Sequence, residues 1–423
     1  MNKTEPLRVL HLVAGNLSGG AARGAYWLHQ AQREIGIDST LVTSGRETGD
    51  DPSVIALGKS PIQWMKHAAL NRLGNIPVRF YAKRKPWIFN TGFAGIDFTK
   101  LPEYHRADVI HLHWINGLVA MRTLRRIKKP IVWTMRDMWP LTGGCHYAID
   151  CNNYIEGCGK CPQLRSNSKL DLSRFIVAHK RNFLPRKMRI IGISEWLSSC
   201  AKSSRVFANL PVQTISNNIN TQDFFPVPVT VAREALGLPT SGRILLVGAQ
   251  RVTDFYKGFD HFLQAMKDFS GEDFHVVSFG RGPSQDWSSL AVQHTNLGFL
   301  SDTVSLRLAY SAANVFVAPS LMDAFGKTLA EAQACGTPVV CFDATGPRDI
   351  IEHKITGYRA EPFEPEDLAK GIHWVLQQSA EQHEMMRTNA RKRAVKQFDS
   401  RVIAHQYKSL YEEITAKRAT AQA

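Results

Sequence analysis

Two carboxylates frame a short segment suited to anions, "APSLMDAFGKTLAEAQACGTPVV". Asp323 stands between an apolar run and the turn Phe325-Gly326-Lys327, and Glu331 follows inside a small-residue helix that stops at Gly336. A helix start gathers unpaired N–H donors and the positive end of the helix dipole, which suits a pyrophosphate. Lys327 adds a charge there. With an anion held by the helix start, the carboxylates are left to accept hydrogen bonds from hydroxyls. Glu331, about one turn in, can take two adjacent hydroxyls, as on a ribose. Asp323 can hold hydroxyls beyond the phosphates. Two phosphates between two polyols describe a nucleotide sugar. A plainer reading also fits: Asp323 caps the helix and Glu331 is solvated surface.

Two further stretches favour the first reading. In "GAQRVTDFYKGFDHF", Arg251 and Lys257 flank a polar loop between a strand end and a helix, and Gly258 allows a tight turn. Two cations there can clamp a pyrophosphate and neutralise a leaving nucleoside diphosphate. In "AGNLSGGAARGAYWLHQA", Gly15, Gly19 and Gly20 allow close backbone approach before another helix.

These loops need strands to hold them. Apolar runs at 8–14, 108–114, 130–135 and 189–194 form one series. Runs at 243–249, 274–280, 314–320 and 337–342 form a second. Continuous apolar strands separated by helical patterns mean parallel sheets covered on both faces. The expected architecture is α/β, two doubly wound parallel-sheet domains facing each other across a cleft, with ligands at the strand C-termini. The domains are expected at 1–215 and 216–399, joined through "SNNINTQDFFPVPV". The helix near 400–416, with Tyr407 and Tyr411 on its apolar stripe, is expected to return to the first domain. His111 and His113 alternate on one strand; both core packing and a role at the cleft floor fit, and His113 lies nearer the strand end.

Charge is uneven. Residues 1–216 carry 31 Lys/Arg against 14 Asp/Glu, whereas residues 217–423 carry 21 against 23. A one-sided basic surface fits a nucleic acid or an anionic membrane. No nucleic-acid recognition motif accompanies it, and the donor-site features would have no role there. Between Asp51 and Asp97 no acid occurs, while Lys59, Lys66, Arg72, Arg79, Lys83, Arg84 and Lys85 interleave with Trp64, Met65, Leu70, Leu73, Phe80, Tyr81 and Trp87. Apolar anchors among cations are what an interfacial segment needs. No apolar run reaches the ~20 residues of a membrane span, and the first residues lack the long apolar segment of a signal peptide. The expected location is cytoplasmic, peripheral at the inner face of the cell membrane.

Taken together, the chain resembles, over nearly its whole length, a retaining GT-B glycosyltransferase of the family 4 type, a group that includes bacterial capsule, colanic-acid and O-antigen transferases. "DAFGKTLAEAQACGTPVV" matches the E-x7-E pattern of that group, with Asp323 in place of the first Glu. "ISNNINTQDFF" matches its N-G-I-D-x-x-x-F hinge, with Asn218 for Gly and Asn220 for Asp; Asn tolerates positive φ. "TMRDMWPLTGGCHYAIDCNNYIEGCGKCPQL" resembles a segment of the colanic-acid-like subgroup in which the Arg136 position is often His. The resemblance implies that Glu331 binds the nucleotide ribose and Arg251 and Lys257 the diphosphate. It implies that Asp323 with Phe325-Gly326-Lys327 holds the donor sugar and distal phosphate; Gly19 and Gly20 are expected on the donor side from their own glycine-rich loop before a helix. His113 would lie near the donor sugar. The implied reaction is transfer of a hexose or hexosamine from a nucleotide-diphosphate sugar to a hydroxyl of a saccharide, polyprenyl-diphosphate-linked, with retention. It implies no cofactor for catalysis and, with no D-x-D present, no catalytic metal. Other GT-B activities, an epimerase or a phosphorylase, share the same donor features.

Four of the seven cysteines cluster as Cys145-x5-Cys151-x6-Cys158-x2-Cys161. This spacing suits a structural tetrahedral zinc. Reduced thiols packed in a loop fit too, and so do disulfides, which a reducing cytoplasm disfavours. The loop follows a strand and would rim the acceptor side, making Asp137, Trp139, His146 and Tyr147 candidate acceptor contacts.

Overall fold

The structure is a computed structural model that describes residues 6–17, 19–46, 51–269, 274–282 and 292–422, with side chains of the last helix described to Ala416. The chain divides into two compact units, Met1–Asn218 with Ser400–Ala423, and Ile219–Asp399.

Unit 1 is built on seven strands: β1 (Arg8–Val13), β2 (Asp38–Thr43), β3 (Val54–Ala56), β4 (Val109–Leu112), β5 (Ile131–Met135), β6 (Met188–Gly192) and β7 (Val212–Thr214). Unit 2 holds six: β8 (Arg243–Arg251), β9 (Phe274–Arg281), β10 (Gln293–Asn296), β11 (Val315–Ala318), β12 (Val339–Phe342) and β13 (Gly357–Ala360). The sheet orders are β3-β2-β1-β4-β5-β6-β7 and β10-β9-β8-β11-β12-β13. All pairings are parallel. Helices cover both faces, so the central strands β4, β5, β11 and β12 are buried at every position. In each unit the strand order reverses once, between β1 and β4 and between β8 and β11. Ligands of such sheets bind beyond the strand C-termini at this switch point.

The helix Ser400–Gln422 belongs to unit 1. Its Ile403, Ala404, Tyr407, Leu410 and Tyr411 join Val9, Leu28, Val109 and Val132 in one buried cluster. The turn between the units differs from the sequence expectation in one respect. Asn218 is not among the residues with positive φ. It is buried, and its side-chain amide donates to Ser400 Oγ at 3.2 Å. A side-chain bond, not a left-handed backbone, accounts for an asparagine here.

Candidate functional site: the strand ends of unit 2

The loops after β8 and β11 meet at the switch point. Gly258 makes the meeting possible. Its φ is +69°, and a Cβ placed on it would stand 1.8 Å from the Pro319 carbonyl oxygen. This close approach brings Lys257 Nζ within 2.7 Å of Asp323 Oδ2. The other oxygen, Oδ1, accepts from the backbone N–H of Phe325 at 3.2 Å and of Gly326 at 3.0 Å. Burial opposes ionisation of Asp323, but the Lys257 ammonium and the two N–H donors outweigh it and hold the carboxyl below its ordinary range. Asp323 therefore organises the turn into the helix Lys327–Ala334, and two of the N–H groups expected to face an anion are bonded to it.

Gly326 caps that helix with φ +99°, a left-handed conformation that glycine adopts without strain. Glu331 is buried, and its Oε2 accepts from Tyr310 Oη at 3.1 Å. Lys327 Nζ lies 3.8 Å from Glu331 Oε1, one turn away. Arg251 ends β8 and is exposed. The structure thus gathers Lys257, Asp323, Phe325, Gly326, Lys327 and Glu331 around one helix start, with Arg251 on the adjoining strand end. Tyr310, which orients Glu331, carries no local sequence signal; it comes from the preceding helix, Thr303–Ala312.

In unit 1, Gly15 has φ +90°, and the space beside Gly20 is open, with no protein atom within 4 Å of a Cβ placed there. His113, at the end of β4, is buried among polar groups. His11 faces His111 in the register of β1 with β4. His113 Nε2 lies 2.9 Å from His11 Nδ1, and His11 Nε2 lies 2.8 Å from Gln32 Oε1. The Gln32 carbonyl can only accept, so His11 carries its proton on Nε2, His113 donates from Nε2, and His113 Nδ1 accepts from Arg136 at 3.3 Å. His111 is bonded to Tyr411 Oη at 2.6 Å and Thr134 Oγ1 at 2.7 Å. Burial keeps these rings neutral and holds His11 down to about 3. While these bonds stand, neither nitrogen of His113 is left for a sugar hydroxyl.

The segment after β5 corrects part of the acceptor expectation. Trp139 is 1% exposed and its indole donates to the Asn90 carbonyl, so neither ring face can stack on a sugar. Asp137 Oδ2 accepts from His146 Nδ1 at 2.6 Å and Trp114 Nε1 at 2.7 Å, and both Asp137 and His146 are buried. Tyr147 alone of the four is half-buried. Sequence gave no signal for Lys180, which is fully buried beneath Trp139.

Outside these sites, the helix Pro61–Gly74 has no buried residue. Ile62, Met65 and Leu73 share an exposed stripe, each at least 60% accessible, and Phe80 beyond it is 83% accessible. Among the described residues no helix is long and apolar enough to cross a membrane.

Paired parallel sheets with this unit 2 site define the GT-B glycosyltransferase class. Residues 18–223 match the "Glycosyltransferase Family 4" description and residues 230–393 match "Glycosyl transferases group 1". The chain belongs to the GT-B glycosyltransferases of the family 4 type. It is 26% identical over 348 residues to the Escherichia coli protein WcaC, named for a colanic acid biosynthesis glycosyl transferase, covering 79% of this chain and 82% of that one. It is 31% identical to an uncharacterized glycosyltransferase of Methanocaldococcus jannaschii, covering 67% and 68%. It is 27% identical to the Campylobacter jejuni N,N'-diacetylbacillosaminyl-diphospho-undecaprenol alpha-1,3-N-acetylgalactosaminyltransferase, covering 47% and 53%. Among solved structures, sucrose-phosphate synthase from Thermosynechococcus elongatus superposes with a TM-score of 0.70 at 20% identity, covering 97% and 100%. Anabaena HepE in complex with UDP-glucose superposes at 0.64 and 16%, covering 96% and 100%.

Proposed function

We propose that the protein transfers a hexose or hexosamine from a nucleotide-diphosphate sugar to a hydroxyl of a polyprenyl-diphosphate-linked saccharide, with retention, in bacterial surface polysaccharide assembly. The observation that carries this reading is the Lys257–Asp323 ion pair beside the Lys327–Ala334 helix start, with buried Glu331 one turn in. On this reading Lys257, Lys327, Arg251 and the helix start neutralise the diphosphate as the glycosidic bond breaks, the work a divalent ion does elsewhere. Glu331 accepts from the ribose hydroxyls, and Asp323 positions Lys257 and the sugar. The leaving phosphate serves as base for the acceptor hydroxyl on the same face. Tyr147 is the acceptor-side residue of choice because it retains exposure.

The donor reading draws support from HepE, described in complex with UDP-glucose. The acceptor reading draws support from the Campylobacter relative, whose name specifies a diphospho-undecaprenol acceptor. A cytoplasmic enzyme with such an acceptor has to work at the inner face of the cell membrane. The exposed helix Pro61–Gly74, followed by Phe80 and the cations Lys83, Arg84 and Lys85, supplies apolar anchors and charge for peripheral docking. Each cation near an anionic leaflet contributes about 1 kcal/mol.

The test supplies purified protein with UDP-, GDP- and dTDP-sugars and polyprenyl-diphosphate saccharides, and determines the anomeric configuration of the product. Transfer with retention that survives brief chelation is expected. Donor hydrolysis or epimerisation without transfer, or phosphate dependence, overturns it in favour of another GT-B activity. Sedimentation with anionic vesicles, weakened by salt and by changing Lys83, Arg84 and Lys85 to Ser, is expected. Equal partition onto neutral vesicles, or tight duplex DNA binding without vesicle binding, refutes the docking.

A further inference from the structure

Four cysteines of unit 1 line one small cavity. Cys145, Cys151, Cys158 and Cys161 surround a cavity of about 20 Å³, and none forms a disulfide. The backbone around them is shaped for sulfur. The backbone at Gln163 and Leu164 lies near enough to Cys161, and that at Gly143 to Cys158, to act on these thiols. Burial outweighs these contacts and pushes the Cys145, Cys158 and Cys161 thiols up, so without a metal they are neutral, and a metal has to displace their protons. The loop bearing two of them holds an unfavourable conformation, with φ of 62° at Cys158, 100° at Gly159 and 47° at Lys160. It is tied down from outside: Asp171 Oδ2 accepts from the Cys161 N–H at 2.8 Å, while Oδ1 caps the helix Leu172–Phe183.

A second, independent observation concerns charge. Lys180 lies in that helix and is fully buried. Its ammonium donates to the carbonyls of Trp139 and Thr142, the latter at 2.9 Å, and sits 3.8 Å over the Trp139 ring. Among the described residues it makes no ion pair with a carboxylate. Thr142 also lines the thiol cavity. Burial makes the ammonium costly and lowers Lys180 to about 7, and the Asp137 carboxylate offsets only part of that. Four neutral thiols do nothing to offset it, whereas a divalent ion held by four thiolates carries two net negative charges.

We propose that Cys145, Cys151, Cys158 and Cys161 bind one structural zinc ion, with Lys180 as the buried counter-charge. Binding releases four thiol protons and forms four Zn–S bonds, with no change of oxidation state. Among the described residues only His11, His111 and His113 bring three ligand atoms within 4.8 Å of one another, so the thiols must draw inward onto the ion. The histidine trio is the poorer candidate. All six ring nitrogens are hydrogen-bonded, and the cationic Arg136 adjoins His113. The role is structural because four protein sulfurs leave no position for water or substrate.

The full chain, prepared without chelator, should contain about one zinc per chain by elemental analysis. Titration with a mercurial should release it as four thiols react. Cobalt substitution should give the absorption of a tetrahedral tetrathiolate. Cys151→Ser and Cys161→Ser should lower zinc content at least fivefold, while Cys335→Ala in unit 2 keeps it. Should the serine variants fail to fold, the mercurial titration and cobalt spectrum of the unaltered chain decide. Metal-free protein with four freely titrating thiols overturns the proposal, and so does a mass lower by two hydrogens per disulfide.

Discussion

Replacing Lys257 with methionine isolates the ionic contribution at the donor site, because the stem is kept and only the charge is removed. The ammonium is 2.7 Å from Asp323 Oδ2. At that distance, with an effective dielectric constant of ~20, the attraction is about 6 kcal/mol before desolvation is subtracted. Breaking a fully buried pair costs ~3–5 kcal/mol. Here the side chains remain 21% and 24% exposed, so a loss of about 2–3 kcal/mol is expected. The variant also loses a charge-assisted contact to the diphosphate, worth ~1.5–3 kcal/mol, or roughly 10- to 150-fold in affinity. If charge on the leaving diphosphate grows in the transition state, kcat falls further, by ~100- to 1,000-fold. Denaturant melts, calorimetric titration with UDP, GDP and dTDP, and transfer rates measure the three effects. Adding Asp323→Asn should restore most of the stability, since no unpaired carboxylate remains, and none of the activity. A Lys257→Met protein with unchanged nucleotide affinity and rate would refute the donor-site assignment.

Glu331→Ala should abolish transfer with the fold intact, and Glu331→Gln should retain nucleotide binding better; near-normal turnover in the alanine variant would place the ribose elsewhere. Asp323→Glu should be tolerated better than Asp323→Ala, and equal losses would mean that the charge is dispensable. Gly258→Ala forces the loops after β8 and β11 apart, because its Cβ would meet the Pro319 oxygen at 1.8 Å. It should cost activity and at least ~1–2 kcal/mol of stability, the ordinary penalty of a left-handed L-residue; an unchanged melting curve contradicts the close approach. Burial holds His11 to about 3, against 6.5 when exposed. The unfolded chain therefore takes up this proton as pH falls below 6.5 while the folded chain does not. Stability should drop by about 1.4 kcal/mol per pH unit between pH 6 and 4 for each such histidine. Denaturation midpoints at several pH values, compared with His11→Gln, check the slope, and a flat profile rules out the neutral cluster.

Eight strands were legible because each is buried over most of its length and reads as a largely apolar run. The four sheet edges, Val54–Ala56, Val212–Thr214, Gln293–Asn296 and Gly357–Ala360, were not. They are three or four residues long, and Gln293–Asn296 is wholly polar. Asp38–Thr43 was also missed; it opens on an exposed acid and two hydroxyl residues. At the strand ends of unit 2 the informative residues are local: a glycine turn, a lysine beside it, an acid before a helix. The partners that finish the site are not. Tyr310 reaches Glu331 from another helix, and Tyr411 reaches His111 across 300 residues of chain. Trp139 shows the converse error. An aromatic residue in a polar loop reads as a sugar platform, yet packing encloses it.

The helix Ser400–Gln422 also sets an order of events. Gln32 bonds Tyr411 across 379 residues, and Thr134 bonds Tyr407 across 273. During synthesis, the segment emerging first lacks the tyrosines that finish its core. Unit 2, whose residues run without interruption from Ile219 to Asp399, has all its parts before that helix is made. The half that begins first is completed last, and it carries the exposed apolar helix Pro61–Gly74 throughout the wait. A nascent chain in this state presents its unfinished core and its surface anchors together, so the interval before Tyr407 and Tyr411 arrive is when chaperones have most to hold.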